Sequence, residues 1–92
     1  MRFPLIEHYR PTKTADGEGG FTETLGTDLT LYAQATVHQA DMFLFFRRGE
    51  DVQREDIVVI DGDQYRVLRL EGPEAAPVRR AKIERIERPI RT

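Results

Sequence analysis

Apolar and polar residues alternate most clearly between Leu29 and His38. Leu29, Leu31, Ala33, Ala35 and Val37 fall on one side, and Thr30, Tyr32, Gln34, Thr36 and His38 on the other. A period of two over that length predicts a half-buried strand. The small Ala33 and Ala35 leave room for a second backbone or a bulky facing side chain, as the crowded interior of a small barrel requires. A second pattern runs from Asp56 to Leu70, where the β-branched run Ile57-Val58-Val59-Ile60 is followed by Asp61-Gly62 and then by Tyr65, Val67 and Leu70. This predicts a β-hairpin, because Asp-Gly reaches positive φ at little cost in the turn. A lone hairpin is marginal in water, so the remaining chain must cover its apolar face.

Residues 3 to 10 predict a first strand, with Leu5, Glu7 and Tyr9 on one face and Ile6, His8 and Arg10 on the other. Pro11 ends it, and Thr12 to Gly20, with its Asp16-Gly17 and Gly19-Gly20 pairs, reads as a loop. That loop lacks the lysine and following helix of a phosphate-binding P-loop. Neither Asp16 with Glu18 nor Asp61 with Asp63 has the ligand spacing of a calcium loop, so these read as solvated turn residues. Gln39 to Arg54 reads as a long connection holding Met42-Phe43-Leu44-Phe45-Phe46 and then Arg47-Arg48-Gly49-Glu50-Asp51. Its apolar run is either a strand buried on both faces or an aromatic patch covered by a neighbouring copy. Val78 to Glu87, bracketed by Pro77 and Pro89, fits a strand through Ala81 and Ile83, although Ile83 and Ile86 also stand at helical spacing. Residues 88–92 then read as a C-terminal tail, mobile or ordered by a partner beyond Pro89. The whole predicts an all-β, single-domain barrel or sandwich of about five to seven antiparallel strands with a long inserted loop.

Composition narrows the function. A chain of 92 residues forms one domain with a stability on the order of 5–10 kcal/mol, which leaves little margin for a buried, water-filled active site. No apolar run approaches the roughly 20 residues of a spanning helix, and the first residues lack the apolar core of a secretory signal, so a soluble protein is expected. Cysteine is absent, which excludes disulfides and thiolate metal sites and suits a reducing compartment. Serine is absent too, and the histidines, His8 and His38, lie far apart in sequence, so no catalytic constellation and no metal or cofactor site is predicted. The net charge of −2 is unevenly spread: residues 79–92 hold six basic groups against Glu84 and Glu87, a local +4 that leaves −6 for the rest. Such polarity fits either a head-to-tail contact between copies and docking of an acidic partner, or a solvated strand face with a charged tail.

The order of these features resembles the head-tail joining proteins of tailed bacteriophages. The likeness rests on Arg10-Pro11 after the first strand, the Thr-x-Asp-Gly-x-Gly-Gly loop from Thr14 to Gly20, the alternating strand, and Asp56-x-Val-x-x-x-Gly-x-x-Tyr-x-Val ending at Val67. The family often carries a tryptophan after the Gly-rich loop; Leu25 or Leu29 stands near that place here. The resemblance implies a small barrel subunit of the virion neck, assembled in the host cytoplasm. A ring of about six or twelve copies would close the DNA-filled head. A portal or adaptor ring would lie above it, a tail terminator or tail tube below, and packaged DNA would occupy its channel without sequence specificity. It implies neither cofactor nor membrane.

On that reading the candidate channel or interface residues are Met42, Phe43, Phe45, Phe46, Arg47, Arg48, Glu50 and Asp51, on a projecting segment. A candidate basic interface comprises Arg79, Arg80, Lys82, Arg85 and Arg88. A different class stays open, an SH3-like or OB-like module for nucleic acid or a peptide, marked by a basic face beside Tyr65 or Phe45. Another neck or tail-completion protein, such as a tail terminator, is a nearer alternative.

Overall fold

The computed structural model describes residues 2–90. Among them eight strands follow in order: β1 (Leu5–Tyr9), β2 (Thr12–Ala15), β3 (Phe21–Thr24), β4 (Leu31–Thr36), β5 (Phe43–Arg47), β6 (Ile57–Ile60), β7 (Asp63–Glu71) and β8 (Val78–Arg85). Six of them close into an antiparallel barrel in the order β1-β4-β5-β8-β7-β6, and β2 and β3 pair only with each other. Of the all-β, single-domain barrel or sandwich expected, the barrel is the architecture found, with a two-stranded arm added to it.

The predicted hairpin is β6–β7. Ile60 stands opposite Asp63, so the turn is Asp61-Gly62 alone, and both residues take positive φ, 52° and 83°. That is the type I′ geometry, whose twist matches the strands it joins. Small and large residues interlock inside the barrel. Ala33 lies opposite Phe46, and Leu44 is flanked by Ala35 on β4 and Ala81 on β8. Phe46, Leu44, Ile83, Val58 and Val67 are fully buried there, each worth about 1.5–3 kcal/mol of burial. A register shift between Val67 and Arg69 moves the inward side of β7 from odd to even positions. Leu70 therefore packs on the same core as Tyr65 and Val67.

A smaller core lies outside the barrel wall. Tyr9, Leu25 and Ile57 are buried together, with Val59, Ile86 and Ile90 against them. Leu25 is enclosed, whereas Leu29 is exposed. The Gln64 amide fastens the C-terminal segment, donating from Nε2 to the Ile90 carbonyl at 2.9 Å and accepting the Ile90 N–H at 2.8 Å. The tail expected to be mobile or ordered by a partner is thus held by the chain itself as far as Ile90; positions 91 and 92 lie outside the described residues.

Three expectations are corrected. Thr12 to Gly20 is not all loop: Thr12–Ala15 pairs with Phe21–Thr24, and only the Asp16 to Gly20 tip is a turn. Both faces of this arm are solvated except at Glu23, so β-branched threonines form strands with no apolar alternation to announce them. Gln39 to Arg54 is not a projecting loop. Its middle is β5, a barrel strand between β4 and β8, and the rest folds back so that Val52 enters the core. The alternation also begins at Leu31 rather than Leu29, because Thr30 takes φ 54° and breaks the extended chain.

Candidate interaction surface

On β5, Leu44 and Phe46 point inward while Phe43 and Phe45 lie half-buried on the outer wall. Register sets Lys82 opposite Phe43 and Arg80 opposite Phe45. The Arg80 guanidinium lies 5.0 Å from the centre of the Phe43 ring and the Lys82 Nζ 5.1 Å from it, within cation–π range. The two phenylalanine rings are tilted by 50° with centres 6.4 Å apart. Members of the two predicted sets, one aromatic and one basic, thus share one face. Part of its charge is compensated: Arg80 and Arg69 both donate to Glu71, at 3.1 and 2.8 Å, and Lys82 reaches Asp41 at 3.3 Å. The Arg69 hydrogen bond, with Arg80 beside it, holds the Glu71 carboxyl below its ordinary value.

At the end of β5 the exposed Arg47 guanidinium stacks 5.1 Å from the Phe3 ring. Together with Arg2, Pro4, Tyr32 and Gln34 these residues border a groove of about 670 Å³.

The other candidates go elsewhere. Phe46 is wholly buried, and Met42 packs half-buried on the core. Arg48 turns away, donating from Nη1 to the Ala75 carbonyl at 3.0 Å. Arg79 sits opposite Phe46, its guanidinium 5.9 Å from that ring, with a buried Nε that has no partner. Arg85 pairs with Asp63 at 3.6 Å beside Tyr65, and Arg88 is exposed beyond β8. The five basic candidates therefore form no single patch. Tyr65, named as a possible binding ring, is in the core.

Glu50 and Asp51 flank a polar cluster that sequence reasoning missed. Asp56 is 1 % exposed, and its carboxylate accepts four hydrogen bonds. Oδ2 accepts from His8 Nε2 at 2.7 Å, from the main-chain N–H of Gln53 at 2.9 Å and from Arg10 Nη2 at 3.1 Å, while Oδ1 accepts from Arg10 Nε at 3.1 Å. A carboxylate only accepts, so His8 Nε2 carries its proton. Burial alone would raise the Asp56 carboxyl, but the donors from His8, Arg10 and Gln53 outweigh it, and its pKa lies below the ordinary value. Arg10 also donates to Asp51, from Nη1 to Oδ2 and from Nη2 to the main-chain oxygen, each at 3.1 Å. That fork holds the Asp51 carboxyl low as well, and the Asp56 bond raises Arg10 above its already high value.

The cluster joins the end of β1 to the connection before β6. Asp28 supports it from behind, its Oδ1 accepting the N–H of His8 at 3.0 Å and of Thr30 at 2.8 Å. On the outer side of β1, Tyr9 donates to Glu7 Oε1 at 2.8 Å, and that bond, aided by burial, pushes the phenol up to about 12. With His8 buried and its Nε2 spent on Asp56, this geometry holds segments together. The signal available in the sequence was only that Arg10 and Asp56 both belong to the motifs quoted for the resemblance.

Among the described residues no three histidine or carboxylate side chains are grouped to hold a metal ion. No family model matches this chain, and no curated protein or solved structure matches it either.

Proposed function

We propose that this chain is a structural subunit of a tailed-phage neck, forming a ring that closes the DNA-filled head and joins it to the tail. The observation that carries the reading is a small closed barrel with apolar and aromatic side chains exposed on its outside. One part is a solvated two-stranded arm bearing Phe21, 71 % exposed, and the other is the aromatic and cationic wall of β5 and β8 with Tyr32 beside it. Apolar and aromatic surface of this kind marks a place for partners, and a ring supplies them on both flanks. Two residues from the motifs of the resemblance, Arg10 and Asp56, also meet in one part-buried contact, as parts of a common scaffold would. Portal or adaptor and tail proteins are the neighbours this role requires, DNA passes through the channel unread, and no residue is assigned a catalytic part.

The experiment is electron microscopy of particles made by the parent phage with this gene deleted. DNA-free or leaking heads beside finished, unattached tails are expected. Complete tailed particles overturn the proposal.

One observation favours a second reading, a single-strand nucleic-acid module: Phe43 and Phe45 lie beside Arg80 and Lys82, as stacking platforms do. Against it, both cations are already paired with carboxylates, and the chain's net charge is −2. Oligonucleotide titration across a range of salt separates the two, because only the second reading requires tight, salt-dependent binding by a monomer.

A further inference from the structure

We infer that the tip of the β2–β3 arm of one copy seats in the groove between Phe3, Tyr32 and Arg47 of the next copy, head to tail. This contact rests on the ring reading and names the surfaces that would form it.

The groove carries two guanidinium groups, from Arg2 and Arg47, and neither lies within salt-bridge distance of a carboxylate among the described residues. Its rings are those of Phe3 and of Tyr32, which is 54 % exposed. At about 670 Å³ it falls in the range of roughly 300–1,000 Å³ that receives compact ligands. The site is cationic and aromatic.

The arm is its complement. The arm's one basic residue, Lys13, stands near its base opposite Glu23, and the tip presents Asp16, Glu18 and the 71 % exposed Phe21. Glu18 has no cation within reach among the described residues. The Asp16 Oδ1 accepts the amides of Glu18 at 2.7 Å and Gly20 at 3.0 Å, which holds the tip in one shape and keeps that carboxyl ionised below its ordinary range. Glu23, the remaining acid of the arm, is spent at its base, where Arg66 grips it through Nη2 at 2.9 Å and Nη1 at 3.4 Å. The arm is thereby anchored to the barrel, and its free negative charge is left at the tip.

The groove lies where Phe3 and Pro4 lead into β1, and the arm departs through Arg10-Pro11 at the other end of that strand. Plug and socket are thus different surfaces, and a one-way contact between copies is heterologous and generates a ring when the rotation closes. Two charges on each side make the contact salt-sensitive, while the Phe21 ring supplies the apolar anchor.

The test uses the full chain in sedimentation velocity across a wide concentration range. One variant, F21A/E18K, disables the tip; another, Y32A/R47E, disables the groove. All four side chains are exposed or solvent-facing, and thermal unfolding checks that each variant folds. Self-association of the unaltered chain is expected to weaken at least about tenfold in either variant, as loss of an aromatic anchor requires. An equimolar mixture of the two variants is expected to stop at a heterodimer, since one intact tip meets one intact groove. Self-association that survives in both variants overturns the contact and leaves the ring standing on other surfaces. An unaltered chain that stays monomeric even under cross-linking overturns the contact as well, and the neck role then rests on the deletion particles. Salt-dependent binding of an oligothymidylate probe by a monomer, lost in Y32A/R47E, overturns it in favour of a nucleic-acid occupant.

Discussion

Arg10 grips Asp56 with a fork of two hydrogen bonds, Nε to Oδ1 and Nη2 to Oδ2, each 3.1 Å long, between residues 46 positions apart. The pair stands at the end of the seam where β1 meets β6, with Tyr9 opposite Ile57 and His8 opposite Val58. The planar guanidinium matches both oxygens at once, which a lysine ammonium cannot do. Closure of the barrel along that seam and burial of a charge therefore depend on each other.

Removing the carboxylate strands His8 and half-buried Arg10 without their acceptor. Asp56→Ala is expected to cost about 3–5 kcal/mol, a large share of the stability of so short a chain. Arg10→Lys keeps the charge and loses the fork, for about 1–2 kcal/mol. Urea unfolding checks both: the midpoint should fall in that order with little change of slope.

Acid should unfold the protein through the same group. The Asp56 carboxyl has a folded pKa below its unfolded value of about 3.9, so the unfolded chain binds the proton first as pH falls. Its contribution is full above about pH 4 and drains away below it, as pH falls toward and through the folded value. Asp51, exposed and also lowered by Arg10, acts in the same direction. Unfolding midpoints measured down to strong acid should show a steep loss that is visibly flatter in Asp56→Asn.

Phe45 and Phe46 are neighbours in sequence and opposites in the barrel wall. Phe46→Ala opens a cavity beside Ala33 and is expected to cost about 3–5 kcal/mol, whereas Phe45→Ala, on the outer side, should cost about 1 kcal/mol or less. Thermal melts of the two variants separate the roles. Equal losses would place both rings inside.

Thr30 holds φ 54°, a conformation that a β-branched residue adopts at a cost. Asp28 compensates by accepting its N–H, and its own hydroxyl donates to the Leu29 carbonyl. Asparagine tolerates this region, so Thr30→Asn is expected to be neutral or to stabilise by up to about 1 kcal/mol. A loss beyond 1 kcal/mol would show that the hydroxyl contact outweighs the strain.

What could be read along the chain follows from burial. Leu31, Ala33 and Ala35, and Ala81 with Ile83, lie on strands with one wetter and one dry side, so a period of two was visible, whereas β6 buries Ile57 and Val58 on opposite faces and was legible from its β-branched run and the Asp61-Gly62 turn. Phe43 to Phe46 hid its period because Phe43 and Phe45 are half-covered outside, Phe43 beneath the Arg80 guanidinium and the Lys82 ammonium, while Leu44 and Phe46 are buried inside. The arm was hidden for the opposite reason: exposed on nearly every residue, it has no dry side to register. The Asp56 cluster draws His8 from 48 positions away, a proximity that only the closed barrel creates. Single residues at such spacing leave no local pattern.

The arm stands outside every ladder of the barrel. β1 pairs directly with β4 and with β6, and neither pairing includes a residue between Thr12 and Thr24. Lengthening, shortening or rewriting its tip would leave each barrel register as it is, provided Leu25 still reaches the small core and Glu23 its arginine. Such a segment can change in step with the surface it meets while the barrel stays constant. Divergence between descendants of this chain should therefore gather at Asp16 to Phe21, and a tip exchanged between two of them should carry its choice of neighbour with it.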